Sequence, residues 1–328
     1  MSTAGQSDPT APRVSVVVPT FGSPECVRRA VRSLFKQTLP EKDYEVIVVD
    51  SSPNDSVARV VEDLQQHAAF DLRLFRKPPE GPGPSRNLGV AEARADFVAL
   101  MDSDCEATPN WLRAGLTAFA DGVGIVQGRT LPEPDKPLGV FKWYVLVEQE
   151  NHVYECANLF YRKRAFDEAG GFRHDYNTTD AFVLGGEDVD LAWRVKRNGW
   201  KSRFAHDALV YHEVQPMPFH RWILVRRLVL WPGLVKRFPE LRRFFFARYF
   251  YDRHQAALLL GLTATAAAWW WPVLLLLWLP YAVSRGSEPT RTLRGALRPV
   301  RVLVYLLRDV VSLGLFVASS LRYRSILL

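Results

Sequence analysis

Asp102-Ser103-Asp104 directly follows the apolar run Phe97-Val-Ala-Leu-Met101, and its two carboxylates are the first residues in the chain with obvious chemical use. Carboxylates one residue apart repel each other unless a cation or a donor-rich ligand lies between them. A hard divalent ion carrying a diphosphate meets that need. The run before them reads as a buried strand, and in open α/β sheets ligands bind past the carboxyl ends of strands. An isolated Asp-x-Asp is also a common polar loop, here leading toward a helix at Thr108-Pro109. Its surroundings decide between the two.

Three other groups have chemical potential. Arg86, in Ser85-Arg86-Asn87-Leu-Gly89, can present bidentate donors to an anion where a lysine could not. Glu187-Asp188 follows Gly185-Gly186, which permits close backbone approach. As plain structure, Glu187, Asp188 and Asp190 are acids in the first turn of a helix, favoured there by its dipole. His212, in Val210-Tyr-His-Glu213, closes an expected strand, with His206 a nearby rival as a metal ligand.

These residues need a scaffold, and the first hundred positions supply one. Val14-Ser-Val-Val-Val18 is a short apolar run ending at Pro19-Thr20. Ser23-Pro24 starts a helix whose Val27, Ala30, Val31, Leu34 and Phe35 share one face. Glu45-Val-Ile-Val-Val-Asp50 is a second strand, Val57, Val60, Val61 and Leu64 mark a second helix, and Leu72 to Phe75 a third strand. After a Gly81-Pro-Gly-Pro84 loop, Ser85 to Arg94 reads as a helix entering strand 97–101. Val189 to Lys196 reads as a later one. The alternation predicts an α/β fold with a doubly wound, mostly parallel sheet and a nucleotide-type site at its carboxyl edge.

Charge divides the chain. Residues 1–215 hold 25 Lys+Arg and 31 Asp+Glu, a net of −6, whereas residues 216–328 hold 17 and 4, a net of +13. The basic residues are interleaved with Leu, Val, Trp and Phe, which suits an anionic membrane surface and argues against nucleic acid. The domain reading is a disordered amino terminus (1–12) and a catalytic domain (13–215) with a donor half (13–105) and an acceptor half (106–215). A basic amphipathic interfacial segment (216–254) comes next, then a transmembrane or re-entrant segment (255–284), a basic loop (285–301) and a second apolar membrane-associated helix (302–321). Ala256 to Val283 is 28 mostly apolar residues, against the roughly 20 that span a bilayer. Trp269-Trp-Trp271-Pro272 and Pro280 could kink it or turn it back. Arg308-Asp309 interrupts the second stretch, and positive charge on both sides of the first leaves its topology open. Cys26, Cys105 and Cys156 show neither disulfide nor zinc spacing. The first dozen residues lack the apolar core of a signal peptide, so the catalytic domain is expected at the cell membrane, facing the cytoplasm.

Val-Val-Val-Pro19-Thr20, Val-Val-Asp50, Ser85-Arg86-Asn87-Leu-Gly89, Asp102-Ser103-Asp104 and Gly186-Glu187-Asp188 stand in this order. In these five elements, across residues 13–215, the chain resembles the family 2 glycosyltransferases, which have a GT-A-type nucleotide-sugar-binding fold. The resemblance implies inverting transfer of a sugar from a nucleotide-diphosphate donor to an acceptor hydroxyl, with Mg²⁺ or Mn²⁺. It implies that Pro19, Thr20 and Asp50 line the nucleoside pocket, and that Arg86 reaches the base or diphosphate. Asp102 would approach the ribose or metal, Ser103 would border the donor, and Asp104 would hold the metal with His212. Asp188 would be the base that takes the acceptor's proton, with Glu187 beside it. Many relatives carry Asp or Asn where this chain has Ser51, so Ser51 leaves the nucleotide undefined. Trp193-Arg194 is expected to pack and pair within the Glu-Asp helix, and Asn158 to border the acceptor.

Arg221-Trp222 matches the end of the Gln-x-x-Arg-Trp signature of processive synthases, but Pro218 stands in the Gln position. With at most two membrane segments no polymer channel can be built, so single-sugar transfer to a lipid-linked or envelope glycan acceptor is favoured. The rival readings are a polyprenyl-phosphate sugar synthase, which needs no hydroxyl-deprotonating base, and a membrane scaffold that binds nucleotide without turnover. Nucleotidyl transfer is disfavoured because Thr20-Phe-Gly-Ser23 lacks a basic Gly-rich loop.

Overall fold

The computed structural model describes residues 11–174, 185–287 and 298–328. Most of the expected disordered terminus (1–12) and basic loop (285–301) lies outside them. Of the described residues, 11–136, 144–174 and 187–213 form one compact unit, and 137–143, 185–186, 214–287 and 298–328 a second.

The first unit alternates strand and helix: β1 (Val14–Thr20), α1 (Pro24–Leu34), β2 (Tyr44–Asp50), α2 (Ser56–Gln65), β3 (Asp71–Arg76), α3 (Pro82–Ala91) and β4 (Phe97–Met101). Then follow β5 (Cys105–Ala107), α4 (Trp111–Thr117) and β6 (Val123–Pro132). The two-residue β7 (Lys142–Trp143) belongs to the second unit; β8 (Asn158–Arg162), α5 (Lys163–Glu168), α6 (Glu187–Arg197) and β9 (Lys201–His212) complete the first. The sheet order is β3-β2-β1-β4-β8-β6-β9-β5. β1 runs parallel to both β2 and β4, β8 is antiparallel to β4 and β6, and β5 is antiparallel to β9.

Every residue of β1 and β2 is buried. A strand covered on both faces is mostly apolar, which is why Val16–Val18 and Val46–Val49 read as continuous runs. Val16 and Val18 pack with Val27, Val31 and Val61 of α1 and α2, whereas Val17 faces the opposite cluster with Val90 of α3 and Leu191 of α6. The sheet is thus doubly wound, and its order turns at β1, between β2 and β4.

Three local expectations change. α3 begins at Pro82, not Ser85, because Pro tolerates the first turn, where its missing N–H costs nothing, and Gly81 enters with φ 93°. It ends at Ala91 rather than Arg94. The helix expected at Thr108-Pro109 starts at Trp111, since the Thr108 hydroxyl bonds the Leu209 carbonyl (2.9 Å) and Asn110 precedes the helix.

In the second unit, β7 pairs with β10 (Gln215–Pro216). α7 (Phe219–Ile223), a 3₁₀ turn at Arg226–Leu230, α8 (Trp231–Arg237) and a second 3₁₀ turn at Pro239–Phe244 follow. The apolar 255–284 stretch is not one helix. It comprises α9 (Arg253–Ala267), a break before Pro272, a 3₁₀ turn (Pro272–Trp278) and α10 (Leu279–Ser287). The last helix is α11 (Arg298–Tyr323).

Candidate active site

The carboxyl ends of β1 and β2 form one wall. Pro19 and Thr20 pair with Val49 and Asp50 across the parallel ladder. Asp50 is fully buried; its Oδ1 accepts the Ser52 N–H (2.8 Å) and hydroxyl, while Oδ2 lies 3.7 Å from Arg76 Nε. The Ser51 hydroxyl lies 3.1 Å from that of Ser85. The Thr20 hydroxyl is buried without a hydrogen-bond partner among the described residues. An unsatisfied buried hydroxyl is costly, and a polar ligand atom would relieve it.

The start of α3 joins this wall to the acids, each residue with a separate task. Ser85 meets Ser51. Asn87 clamps Phe172 through its backbone, donating to the carbonyl (2.7 Å) and accepting from the N–H (2.8 Å). Gly89 lets the helix lie on β1: a Cβ there would sit 2.3 Å from Val17 Cγ1.

Arg86, 4% exposed, is the hub. Its Nη2 lies 2.7 Å from Asp102, and its Nη1 is 3.5 Å from both Glu187 and Asp188. Burial works against its charge, and the neighbouring acids outweigh that, holding its proton more tightly than in free arginine. Asp188 is fixed from two sides, since its Oδ2 also accepts the Cys156 N–H (3.2 Å). Asp190, the third acid of the α6 first turn, serves structure: it pairs with Arg194 (2.7 Å), which also bonds the carbonyls of Ala169 and Gly171. Trp193 donates to the His152 carbonyl (3.1 Å).

The second cluster forms where β5 meets β9. Cys105 pairs with His212, and the Glu213 N–H bonds the Asp104 carbonyl (2.9 Å). His212 is buried, with Nδ1 2.8 Å from the Glu213 carbonyl. A carbonyl only accepts, so Nδ1 donates to it, and Nε2 lies 3.6 Å from Asp104 Oδ1. Burial raises the Asp104 carboxyl above its ordinary range, against the pull of His212, and a cation would offset that cost. The ligand atoms of Asp104, Cys105 and His212 lie within 4.8 Å of one another. Burial pushes the Cys105 thiol well up, which keeps it neutral and a poor ligand. The remaining carboxylate and imidazole fit a divalent ion such as Mg²⁺ or Mn²⁺.

Three further residues named from the sequence have their own surroundings. Asp102 is turned to Arg86 and stands outside the Asp104–His212 group. His206 is exposed beside Asp207. Asn158 is buried, accepts from the Trp111 indole (2.8 Å) and donates to the Arg129 and Ala208 carbonyls.

Well over half of the chain, residues 97–317, matches the model for glycosyl transferase family group 2, and residues 15–170 match that for glycosyl transferase family 2. The chain belongs to glycosyl transferase family 2. This glycosyltransferase is 26% identical over 218 residues to Glycosyltransferase AglE of Haloferax volcanii, covering 63% of this chain and 69% of the relative. It is 32% identical over 223 residues to the Pre-mycofactocin glycosyltransferase of Mycobacterium tuberculosis, covering 63% of this chain but only 44% of that one. A third relative is the GalNAc(5)-diNAcBac-PP-undecaprenol beta-1,3-glucosyltransferase of Campylobacter jejuni, 30% identical over 125 residues, 38% of this chain and 40% of the relative. Among solved structures, the mannosyltransferase PcManGT from Pyrobaculum calidifontis, in complex with GDP-Man and Mn²⁺, superposes with a TM-score of 0.60 over 97% of this chain and 89% of its own, at 17% identity. That likeness establishes the GT-A-type fold.

A polar cluster of the glycosyltransferase escapes the sequence reading. Gln127 donates to Asn151 (3.2 Å) and Glu155 (3.1 Å), and Asn151 also donates to Glu155 (3.1 Å). Burial raises the Glu155 carboxyl, with Asp188 adding to the effect. Glu155 precedes Cys156, whose N–H holds Asp188. The segment has no strand or helix period, so only the density of Glu, Gln and Asn marks it.

Proposed function

We propose that the enzyme transfers a single sugar from a nucleoside-diphosphate donor to an acceptor hydroxyl with inversion at the anomeric carbon, while attached to a membrane. The observation that carries this reading is Arg86 facing Asp102, Glu187 and Asp188 at once. One guanidinium joins Asp102, just past β4, to the acids of α6. Asp188 takes the acceptor's hydroxyl proton as the new oxygen–carbon bond forms and the bond to the diphosphate breaks. Arg86 and the Cys156 N–H fix the direction of its carboxylate, and Glu187 shares the Arg86 guanidinium. Pro19, Thr20, Asp50, Ser51 and Ser103 are assigned to the nucleoside side, and Asp102 to the nucleotide through Arg86. Asp104 and His212 would hold Mg²⁺ or Mn²⁺, which when bound supplies positive charge against the leaving diphosphate.

The basic apolar tail supports membrane attachment with the catalytic domain on the cytoplasmic face. The undecaprenol-linked acceptor in the name of the Campylobacter relative supports a lipid-linked or envelope glycan acceptor. The test incubates detergent-solubilised protein with Mn²⁺, a panel of nucleotide sugars and extracted lipids, read by mass spectrometry. Asp188→Asn should keep donor binding while kcat falls about 10²–10⁴-fold, the usual worth of a general base. Near-normal turnover moves the base elsewhere. Tight nucleotide binding without turnover of any donor favours the scaffold reading.

A further inference from the structure

Among the described residues, one helix is long and apolar enough to cross a membrane: the 22-residue stretch Val302–Tyr323 of α11. What packs along it decides whether it does. Tyr305 meets the Trp222 ring at 5.6 Å, and the Arg308 guanidinium lies 5.0 Å from the same ring. Further along, Ser319 donates to the Val229 carbonyl, and the Tyr323 ring lies where a Cβ on Gly233 would be 3.0 Å from it. Past the helix end, Arg242 donates to the Ile326 carbonyl (2.9 Å). Residues 222, 229, 233 and 242 therefore follow α11 from one end to the other. If α11 crossed a bilayer, this basic segment would cross with it and carry the exposed Arg227 through the hydrocarbon. An exposed arginine at that depth is strongly disfavoured, whereas at the headgroup level it meets anionic lipid.

The other apolar stretch points the same way. α9 and α10 form a hairpin: the Trp278 indole donates to Thr265 Oγ1 (2.8 Å), and His254 Nδ1 lies 3.0 Å from Ser284 Oγ. Its base holds a buried bidentate pair, Arg285–Asp309, at 2.6 and 2.7 Å. Its tip is Trp269-Trp270-Trp271, exposed by 87%, 69% and 64%. Between Arg253 and Arg285 the sequence has no Asp, Glu, Lys or Arg. The hydroxyls of Thr263 and Thr265 bond carbonyls of their own helix, as groups facing hydrocarbon must. α9 has 15 residues and rises about 22 Å, less than a hydrocarbon core of about 30 Å.

We propose that the second unit is a one-sided anchor in an anionic phospholipid bilayer. α11 lies in the plane of one leaflet with Leu303, Leu307, Val310, Val317 and Leu321 toward the acyl chains, each exposed and apolar. The hairpin dips in tip first and returns, so Leu328 ends on the membrane face from which residue 214 entered. This rests on the proposed membrane attachment, and the test separates the two. Arg221→Cys and Arg322→Cys, both at exposed positions near opposite ends of the α11 contact, are made in the full chain. Inverted membrane vesicles from expressing cells are treated with a membrane-impermeant maleimide before and after permeabilisation, with the parent chain as background. Equal labelling of both positions from one face is expected. Labelling of one position only after permeabilisation overturns the one-sided anchor and leaves attachment intact. Failure of the parent chain to float with phosphatidylcholine–phosphatidylglycerol vesicles overturns attachment itself.

Discussion

Replacing Arg86 by Met tests the hub directly. The substitution keeps an apolar stem of similar course and removes the charge facing three carboxylates. Breaking a buried ion pair by deleting one partner costs about 3–5 kcal/mol. Asp102 and Asp188 keep 30% and 21% of their side-chain surface, so water offsets part of their loss; Glu187, at 7%, has far less relief. The expected cost is therefore at the lower end, about 3 kcal/mol. Hydrogen exchange read by mass spectrometry on peptides from β1 and β4 reports the first unit without interference from the tail. Glu187→Gln added to Arg86→Met should return part of the loss by neutralising the least hydrated acid. A loss under about 1 kcal/mol, as for an exposed pair, or no recovery in the double variant, would refute the hub argument.

Asp104→Asn should abolish the Mn²⁺ dependence of donor binding in titration calorimetry; unchanged metal-dependent affinity removes Asp104 from the metal site. Gly89→Ala should destabilise the first unit by about 1–3 kcal/mol through overpacking, and Val17→Ala in the same chain should recover part of it. Equal hydrogen exchange in Gly89→Ala and the parent would show that α3 does not rest on β1 there. Glu45 gives a pH signature. Burial opposes its ionisation, but the Ser15 hydroxyl, the Arg94 N–H and the charges of Arg73 and Arg94 outweigh this and hold its carboxyl below the ordinary 4.5. Its contribution to stability is thus complete above the ordinary value and fades as pH falls through it toward the lowered one. The stability gap between the parent and Glu45→Gln should shrink over that acid range; a constant gap would refute the assignment.

The parts legible in the sequence were those where one physical demand fixes residue type. β1, β2 and β4 are covered on both faces, so Val16–Val18, Val46–Val49 and Phe97–Met101 had to be apolar. Glu187-Asp188 could be placed at a helix start because glycine, acids and a following apolar period coincide there. The opening of α3 was hidden because Gly81-Pro-Gly-Pro84 has poor helix propensity, and only its position in a first turn makes it acceptable. β5 was hidden by its length of three residues, which owe their strand character to β9. The bonds of Asn158 to the Trp111 indole and two carbonyls were hidden because, in sequence, a buried asparagine looks like any other. The fold-back within 255–284 was left open because Trp and Pro suit both a kinked span and a hairpin, and the pairing of Gly261 with Trp278 is a non-local contact.

The pairing of Cys105 with His212 has a further consequence. Asp104 immediately precedes β5, with its carbonyl bonded to the Glu213 N–H, and His212 ends β9, which pairs with β5, so the sheet spacing sets the separation of the two backbones. The two side chains act as a caliper of nearly fixed opening. For the proposed ion, selection then turns on the gap that the sheet sets between the two side chains as well as on ligand chemistry.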